Sequence, residues 1–357
     1  MKLSVRGFIT PKQSESFKDC ADRFAFNLSQ QKFALSDGVS QSFFPGDWAD
    51  ILVKEWVNTK EREVSKIISS ARSKWERRVS ECVKRPETPW YTQNSFLERR
   101  PGLATFVGLR FYKNSKSWRW HANALGDSYL FFVPTEYTDY HKSLIKLSSN
   151  SNDEFDNYPD YIPSKETSKS KGEMQSMDRE VFNGTFFIMS DALAEWFIKG
   201  GADSYYSTKT WVDQDHFEKY IMEQRLSHKL ANDDNAVLII EVEDFSGVDF
   251  DHTILPVVDI DEKIYDDLHH NSEIKEDEQK KKVLLENLDR ANNDIQCSAD
   301  CNTNSPAELG MLEPGGVSLD KNTDTVSIKT KELSTDSANQ KTSEKMSEGD
   351  DLDFEKV

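Results

Sequence analysis

Five short acidic motifs follow one another along the first two-thirds of the chain: Ala21-Asp22, Asp37-Gly38, Gly126-Asp127-Ser128, Ser190-Asp191 and Asp233-Asp234. Aspartate carboxylates are hard oxygen donors, and magnesium and manganese take oxygen ligands while keeping several waters. A few carboxylates and one backbone carbonyl suffice for such a site, and what the motifs together suggest is metal-assisted phosphate chemistry. Taken singly, each motif has a plainer reading: Asp-Gly is a common turn, Gly-Asp-Ser an ordinary hairpin, and Asp-Asp a polar strand start. Carboxylates that converge without cations repel and raise one another's pKa values, so several together are best explained by bound metal.

The motifs need elements to position them, and most lie where an apolar run ends or begins. Val5 to Ile9, Arg23 to Leu28 and Lys32 to Leu35 read as strands. From Asp47 to about Lys84 apolar residues recur at three- and four-residue steps, predicting a long helix, broken near Asn58-Thr59 and stopped by Pro86 and Pro89. Strand patterns return at Leu103 to Tyr112, Trp118 to Leu125 and Tyr129 to Val133, the last two read as a hairpin through Gly126-Asp127-Ser128. Ser148 to Met177 is polar and reads as a long loop or insertion. Thr185 to Met189 predicts a strand, Ala192 to Lys199 and Gln214 to Lys229 helices, and Ala236 to Val242 a closing strand. Trp56, Trp75, Trp118, Trp120 and Trp196 fall at core spacing. The order of elements fits a layered α+β fold better than alternating βαβ units.

Composition bounds the rest. The chain has 357 residues, a formal net charge of −18 and a hydrophobic fraction of 36%, low for a wholly globular protein. About sixteen of the excess negative charges lie after Glu243, so the acidity describes a tail rather than a binding face. The expected organisation is a catalytic domain over 1–250 and an acidic, low-complexity, mostly disordered tail over 251–357, with a short helix near 276–289. Cutting the chain after about Val258 is expected to leave fold and activity intact. No apolar run is long enough to span a membrane and no secretory h-region opens the chain, so the expected location is the cytoplasm, with no membrane or nucleic-acid partner. Four scattered cysteines fit a reducing compartment, and Cys297 with Cys301 lacks the second pair a zinc site needs.

At the acidic motifs the chain resembles the metal-dependent type 2C Ser/Thr protein phosphatases, over roughly Val5 to Val242. The matching residues are Ala21-Asp22-Arg23-Phe24, Ala34-Leu35-Ser36-Asp37-Gly38, the helix start Gly46-Asp47-Trp48-Ala49, and Ala104-Thr105-Phe106-Val107-Gly108. Ala124-Leu125-Gly126-Asp127-Ser128, Ile188-Met189-Ser190-Asp191-Ala192 and Asp234-Asn235-Ala236-Val237 follow in the family's order. The resemblance implies a four-layer αββα sandwich of two antiparallel sheets flanked by helices. It also implies two divalent ions, Mn2+ or Mg2+, and a third, weaker one. Asp37 would bridge the two ions, the Gly38 carbonyl would serve the second, and Asp191 and Asp234 would hold the first. Asp22 would stand near the second ion through water, and Asp127 with Asp191 would serve the third. Asp234 is preferred to Asp233 because Asn235 fixes the register.

The implied reaction is hydrolysis of phosphoserine or phosphothreonine on proteins by a hydroxide bridging the ions, with Asp37, Asp191 and Asp234 as the catalytic set. Lys18 is the candidate phosphate anchor, in place of the family's arginine. Divergence from the family is concentrated at Ala21, Val39, the missing double glycine after it, Tyr129, Ala192 and Val237. The form looks most like bacterial stand-alone members, which implies a partner Ser/Thr kinase. Two alternatives stay open: a catalytically weak regulatory or phosphoprotein-binding module on the same fold, and a phosphatase for a small phosphorylated molecule.

Overall fold

A computed structural model describes residues 1–115, 117–150, 155, 159–246, 249–269, 280–282 and 285. Contacts group Met1–Leu288 into one unit and Asp289–Val357 into another, and the second lies outside the described residues. So do Cys297, Cys301 and most of the helix expected near 276–289, of which 280–282 and 285 are described and helical.

Two sheets carry the first unit. Strands β1 (Lys2–Thr10), β7 (Tyr129–Pro134), β8 (Ile145–Leu147), β11 (Gly184–Met189), β12 (Asn235–Asp244) and β13 (Asp251–Val257) form one, in the order β13-β1-β12-β11-β7-β8. Strands β2 (Arg23–Asn27), β3 (Lys32–Ser36), β5 (Phe106–Lys113), β6 (Trp118–Leu125) and β10 (Gln175–Glu180) form the other, in the order β10-β6-β5-β3-β2. A short ribbon pairs β4 (Leu103–Ala104) with β9 (Ile162–Pro163). The alternation of strand side chains gives each sheet two apolar faces, so each must be covered twice. Between the sheets, Leu3, Val5, Phe186, Leu238 and Ile240 of one meet Phe33, Leu35, Leu109 and Trp120 of the other.

The outer faces are closed by helices. Helices α1 (Pro45–Asn58) and α2 (Val64–Val83) bury Trp48, Trp56, Trp75 and Val79 against Ala34 and Phe106. On the far side, α5 (Asp191–Gly200), α6 (Ala202–Thr208) and α7 (Gln214–Leu226) bury Phe197, Tyr205 and Phe217 against Phe131, Phe187 and Ile239. The result is the four-layer αββα sandwich. Helix α3 (Trp90–Leu97) follows α2, α4 (Tyr140–Ser143) lies between β7 and β8, and Trp48 Nε1 ties α1 to the β9 carbonyl of Ile162 at 2.8 Å.

Several expectations need correction. Strands β6 and β7 do not form a hairpin: β6 pairs with β5 and β10, β7 with β11 and β8, so Gly126-Asp127-Ser128 is a crossover between sheets. The run Leu103 to Tyr112 breaks at Thr105, its first two residues pairing with β9 instead of β3 and β6. The polar stretch to Met177 contains the start of β10, an edge strand with mostly exposed side chains that periodicity cannot reveal; Asp178 anchors it to Arg119 at 2.6 Å and Tyr112 at 2.7 Å. The break in the long helix lies where expected, over 59–63.

The sheet also runs past residue 250. β13 pairs in parallel with β1, the exception to an otherwise antiparallel sheet, and residues 260–269 are helical. That segment reaches back to the loop before Asp22: Phe17 N donates to Asp267 Oδ2 at 2.8 Å, and Lys263 lies 5.5 Å above the Phe17 ring. Val258 and Ile260 pack against the core between the sheets. A chain ending at Val258 loses the contacts of Ile260, Lys263 and Asp267, so its melting temperature should fall by several degrees, about 2–4 °C for each kcal/mol lost. Differential scanning calorimetry of that truncation beside the full chain checks it; equal transitions would restore the cut-point expected from composition.

Candidate active site

Each acidic motif sits at a strand end, and backbone constraints draw those ends together. Asp37 follows β3, where its N–H donates to Thr105 Oγ1 at 3.1 Å and its carbonyl accepts Thr105 N at 2.8 Å. Thr105 Oγ1 is also 2.7 Å from Ser128 Oγ, so the break between β4 and β5 joins the Asp37 motif to the Gly126-Asp127-Ser128 crossover. Gly126 has φ of 105°, and a Cβ there would lie 2.5 Å from Thr105 Cβ. Only glycine fits both demands. Gly126→Ala should cost about 2–3 kcal/mol, read as a shift in the urea midpoint, and an unchanged midpoint would contradict the close approach.

Gly38 is equally constrained in space: a Cβ would come within 2.7 Å of the Pro45 backbone at the start of α1. Ser190 and Ala236 exchange two bonds, Ser190 N to Ala236 O at 3.1 Å and Ala236 N to Ser190 Oγ at 3.0 Å. They set Asp191, the first residue of α5, beside the start of β12, and Ala192 N donates to Asp191 Oδ1 at 2.6 Å. Asp234 accepts Lys12 N at 3.0 Å and Ala21 N at 2.7 Å, pinning the loop that carries Asp22. Asp233 instead pairs with the Lys12 ammonium at 3.0 Å and accepts Asp234 N at 2.8 Å.

The electrostatics follow from this convergence. Asp22 is fully buried, and no hydrogen bond of ordinary geometry reaches either of its carboxylate oxygens. Burial, then the charges of Asp234 and Asp191, push its carboxyl well above the usual carboxylate range, while the nearby Ser190 hydroxyl opposes this. Burial and the charges of Asp22, Asp191 and Asp127 do the same to Asp37. Asp191 is pushed up to about 8 by burial and by Asp127 and Asp233. Burial also raises Asp234, against the Ala21 and Lys12 N–H groups. Each expected aspartate therefore lies within electrostatic range of at least one other, and the set is connected.

Two cations that reach this cluster were missed by the sequence reading. Lys12 lies just after β1, before the turn at 13–14, and touches Asp233 and Ser40 Oγ, each at 3.0 Å. Arg225 near the end of α7 donates to the Pro11 carbonyl at 2.9 Å and to the Asp233 carbonyl. Neither belongs to a short motif, since each arrives from an element remote in sequence from the aspartate it serves. Lys18, the anchor expected from the sequence, lies exposed on the turn before Cys20. Tyr129 is buried and stacks on Phe131.

Among the described residues, no group of three or more His, Cys, Asp or Glu side chains is arranged to hold a metal ion. The aspartates are in one another's range without being gathered round one point. Their chemistry nonetheless fits a hard divalent cation: oxygen donors, an orphaned buried carboxylate at Asp22, and mutual repulsion that a cation would relieve.

No family model and no curated protein matches this chain in sequence. Solved structures match it in fold. PppA, described as a key regulatory component of T6SS in Pseudomonas aeruginosa, is 13% identical with a TM-score of 0.42, over 68% of this chain and 98% of that one. The Ser/Thr phosphatase Stp1 from Staphylococcus aureus is 11% identical, TM-score 0.43, over 67% and 95%. The catalytic domain of the phosphatase PstP, in complex with two manganese ions, is 10% identical, TM-score 0.39, over 68% and 99%. The chain resembles the type 2C phosphatases. Its own motif order and its four layers carry that resemblance. Among the described residues no helix is long and apolar enough to cross a membrane.

Proposed function

We propose that this chain is a metal-dependent hydrolase of phosphoserine and phosphothreonine esters on proteins. One observation carries the reading: six aspartates from five strand and helix ends form one chain of electrostatic neighbours, with a buried carboxylate that lacks a hydrogen-bond partner of ordinary geometry among them. Like charges are assembled at such a cost to stability where a cation is to be held. Divalent ions, when bound, would supply a water acidic enough to attack phosphorus at neutral pH and charge to offset that on the phosphoryl oxygens.

The chain's own residues do the rest. Asp37, with the Gly38 carbonyl, Asp191 and Asp234 are the ligating set, Asp22 supports it through water, and Asp127 with Asp191 forms an accessory position. Asp234 also clamps the Lys12–Ala21 loop, so it fixes Asp22 while serving the site. Lys12 brings a positive ammonium to the rim of this acidic cluster and replaces Lys18 as the preferred contact for the ester's phosphoryl oxygens. As a point charge it fixes orientation less tightly than a two-point guanidinium. A hydrolase of such esters consumes the product of a protein kinase, so a Ser/Thr kinase is the implied partner, in a cytoplasmic setting.

The test is hydrolysis of p-nitrophenyl phosphate and of a phosphothreonine peptide with manganese, comparing wild type, Asp37→Ala and Asp191→Ala. Wild type should be faster on both. A wild type no faster than the variants contradicts the enzyme reading, and cleavage of the aryl ester alone transfers it to small phosphorylated molecules. Lys12→Ala should raise KM for the peptide by roughly tenfold with a smaller effect on kcat; an unchanged KM removes Lys12 from phosphate binding. Ala21, the missing double glycine after Val39 and Tyr129 favour a second reading, a phosphoprotein-binding module with slow turnover. It predicts peptide binding in the presence of manganese with hydrolysis indistinguishable from that of Asp37→Ala.

A further inference from the structure

A cavity of about 430 Å³ with the opposite chemistry lies beside the β4–β9 ribbon. Arg72 and Glu76 of α2, Arg99 after α3, and Lys165 and Glu166 after β9 line it. Three cations face two acids, and among the described residues none of the three cations forms an ion pair. Glu166 is near enough to Arg72 to act on its charge, while the Arg72 Nε–H is spent on the Pro163 carbonyl at 3.1 Å.

Lys165 is the informative residue. It is only 7% exposed, and its ammonium stands 5.3 Å from the Phe96 ring and 5.9 Å from the Trp75 ring. Aromatic faces offset part of the cost of burying that charge but supply no acceptor for its three N–H donors. Arg99, held in a left-handed conformation with φ of 57° where α3 ends, adds a guanidinium at the rim. A lysine and two arginines around a small cavity match a phosphoryl or carboxylate group, which guanidinium groups grip at two points.

The cavity is tied to the aspartate cluster through one ribbon. Ser164 N donates to Gly102 O, and Gly102 N to Ser164 Oγ, both at 2.8 Å. Three residues beyond Gly102, Thr105 holds the Asp37 backbone. At about 3.3 Å per residue the edge of the cavity is roughly 10 Å along the ribbon from Asp37. An extended peptide spans that distance with about three residues. Helix α3 buries none of its residues fully and exposes Trp90, Tyr91 and Leu97, an apolar shelf for the remainder of such a peptide.

We propose that this cavity receives a second anionic side chain of the phosphopeptide substrate, about three residues from the ester that is hydrolysed at the aspartate cluster. The proposal rests on the hydrolase reading for the identity of the peptide, but the cavity's preference for an anion can be measured separately. It makes the chain selective for acidic or multiply phosphorylated sequences.

The experiment uses the full chain with manganese and phosphothreonine peptides bearing phosphoserine, Glu or Ala three residues before or after the phosphothreonine. In one direction, phosphoserine and Glu should raise kcat/KM roughly tenfold over Ala. Arg99→Gln and Lys165→Met should each remove most of that preference while leaving p-nitrophenyl phosphate hydrolysis unchanged. Equal kcat/KM for all peptides in wild type, or a preference that survives both variants, overturns the proposal. Fluorescence anisotropy of the same labelled peptides provides an arm independent of turnover. If aryl phosphate is not hydrolysed, anion-selective binding lost in Arg99→Gln supports the cavity although the hydrolase reading has failed. Unselective binding in that case overturns the cavity as well.

Discussion

Asp37→Asn should lower kcat for phosphate-ester hydrolysis by about 10³-fold or more, and in the same molecule raise the melting temperature of the metal-free protein at pH 7. The two signs come from one cause. Burial and the charges of Asp22, Asp191 and Asp127 all disfavour the ionised Asp37 carboxylate. Asparagine keeps the shape and removes the charge, so the folded apo-protein is relieved of repulsion by its neighbours. The same change removes the ligand assigned to bridge both ions. A stability gain of about 2–4 °C for each kcal/mol of relief is expected by calorimetry in EDTA. Asparagine that lowers both stability and activity would mean that Asp37 is structural, and one that leaves activity unchanged would remove it from the site.

The metal-free protein should lose stability as pH rises from about 4 to 8. Asp191 is pushed up to about 8 in the folded chain, whereas an unfolded aspartate titrates near 3.9. Between those values the folded state binds the additional proton. Its stabilising effect is therefore complete below the unfolded pKa and is lost as pH climbs through the folded one. Asp22, Asp37 and Asp234 are raised in the same direction and add to the slope. Divalent ions compete with those protons, so manganese should raise the melting temperature more at pH 8 than at pH 5. Thermal melts at both pH values, with EDTA or manganese, check this. A flat apo profile, or a manganese effect that is larger at pH 5, would contradict the coupled cluster.

The pattern of the chain revealed the elements better than their pairing. β6 was legible because Trp118, Trp120, Ala122 and Ala124 alternate inward, and α2 because Ile67, Ala71, Trp75 and Val79 recur on one face. Pairing is decided by contacts far apart in sequence, so a tight Gly126-Asp127-Ser128 turn that resembles a hairpin proved to be a change of sheet. β10 and β13 were missed because both are edge strands with mostly exposed side chains, stabilised by backbone pairing and, in β10, by ion pairs rather than apolar alternation.

The acidic members of the site were legible as ordered motifs, since each aspartate marks a strand end, and all but Asp22 have a glycine, serine or asparagine beside them. Lys12 and Arg225 carry no such mark. They become visible only once Asp233 draws the β1 turn and the end of α7 to the same corner.

The most direct test of the central claim is a calorimetric titration of the metal-free chain with Mn2+ at pH 7.5, repeated with Asp37→Asn. Two ions bound per wild-type chain with release of protons, and weakened binding in the variant, are the predicted result. No binding to the wild type, or identical titrations of the two proteins, would contradict the assignment of the aspartate cluster as a metal centre.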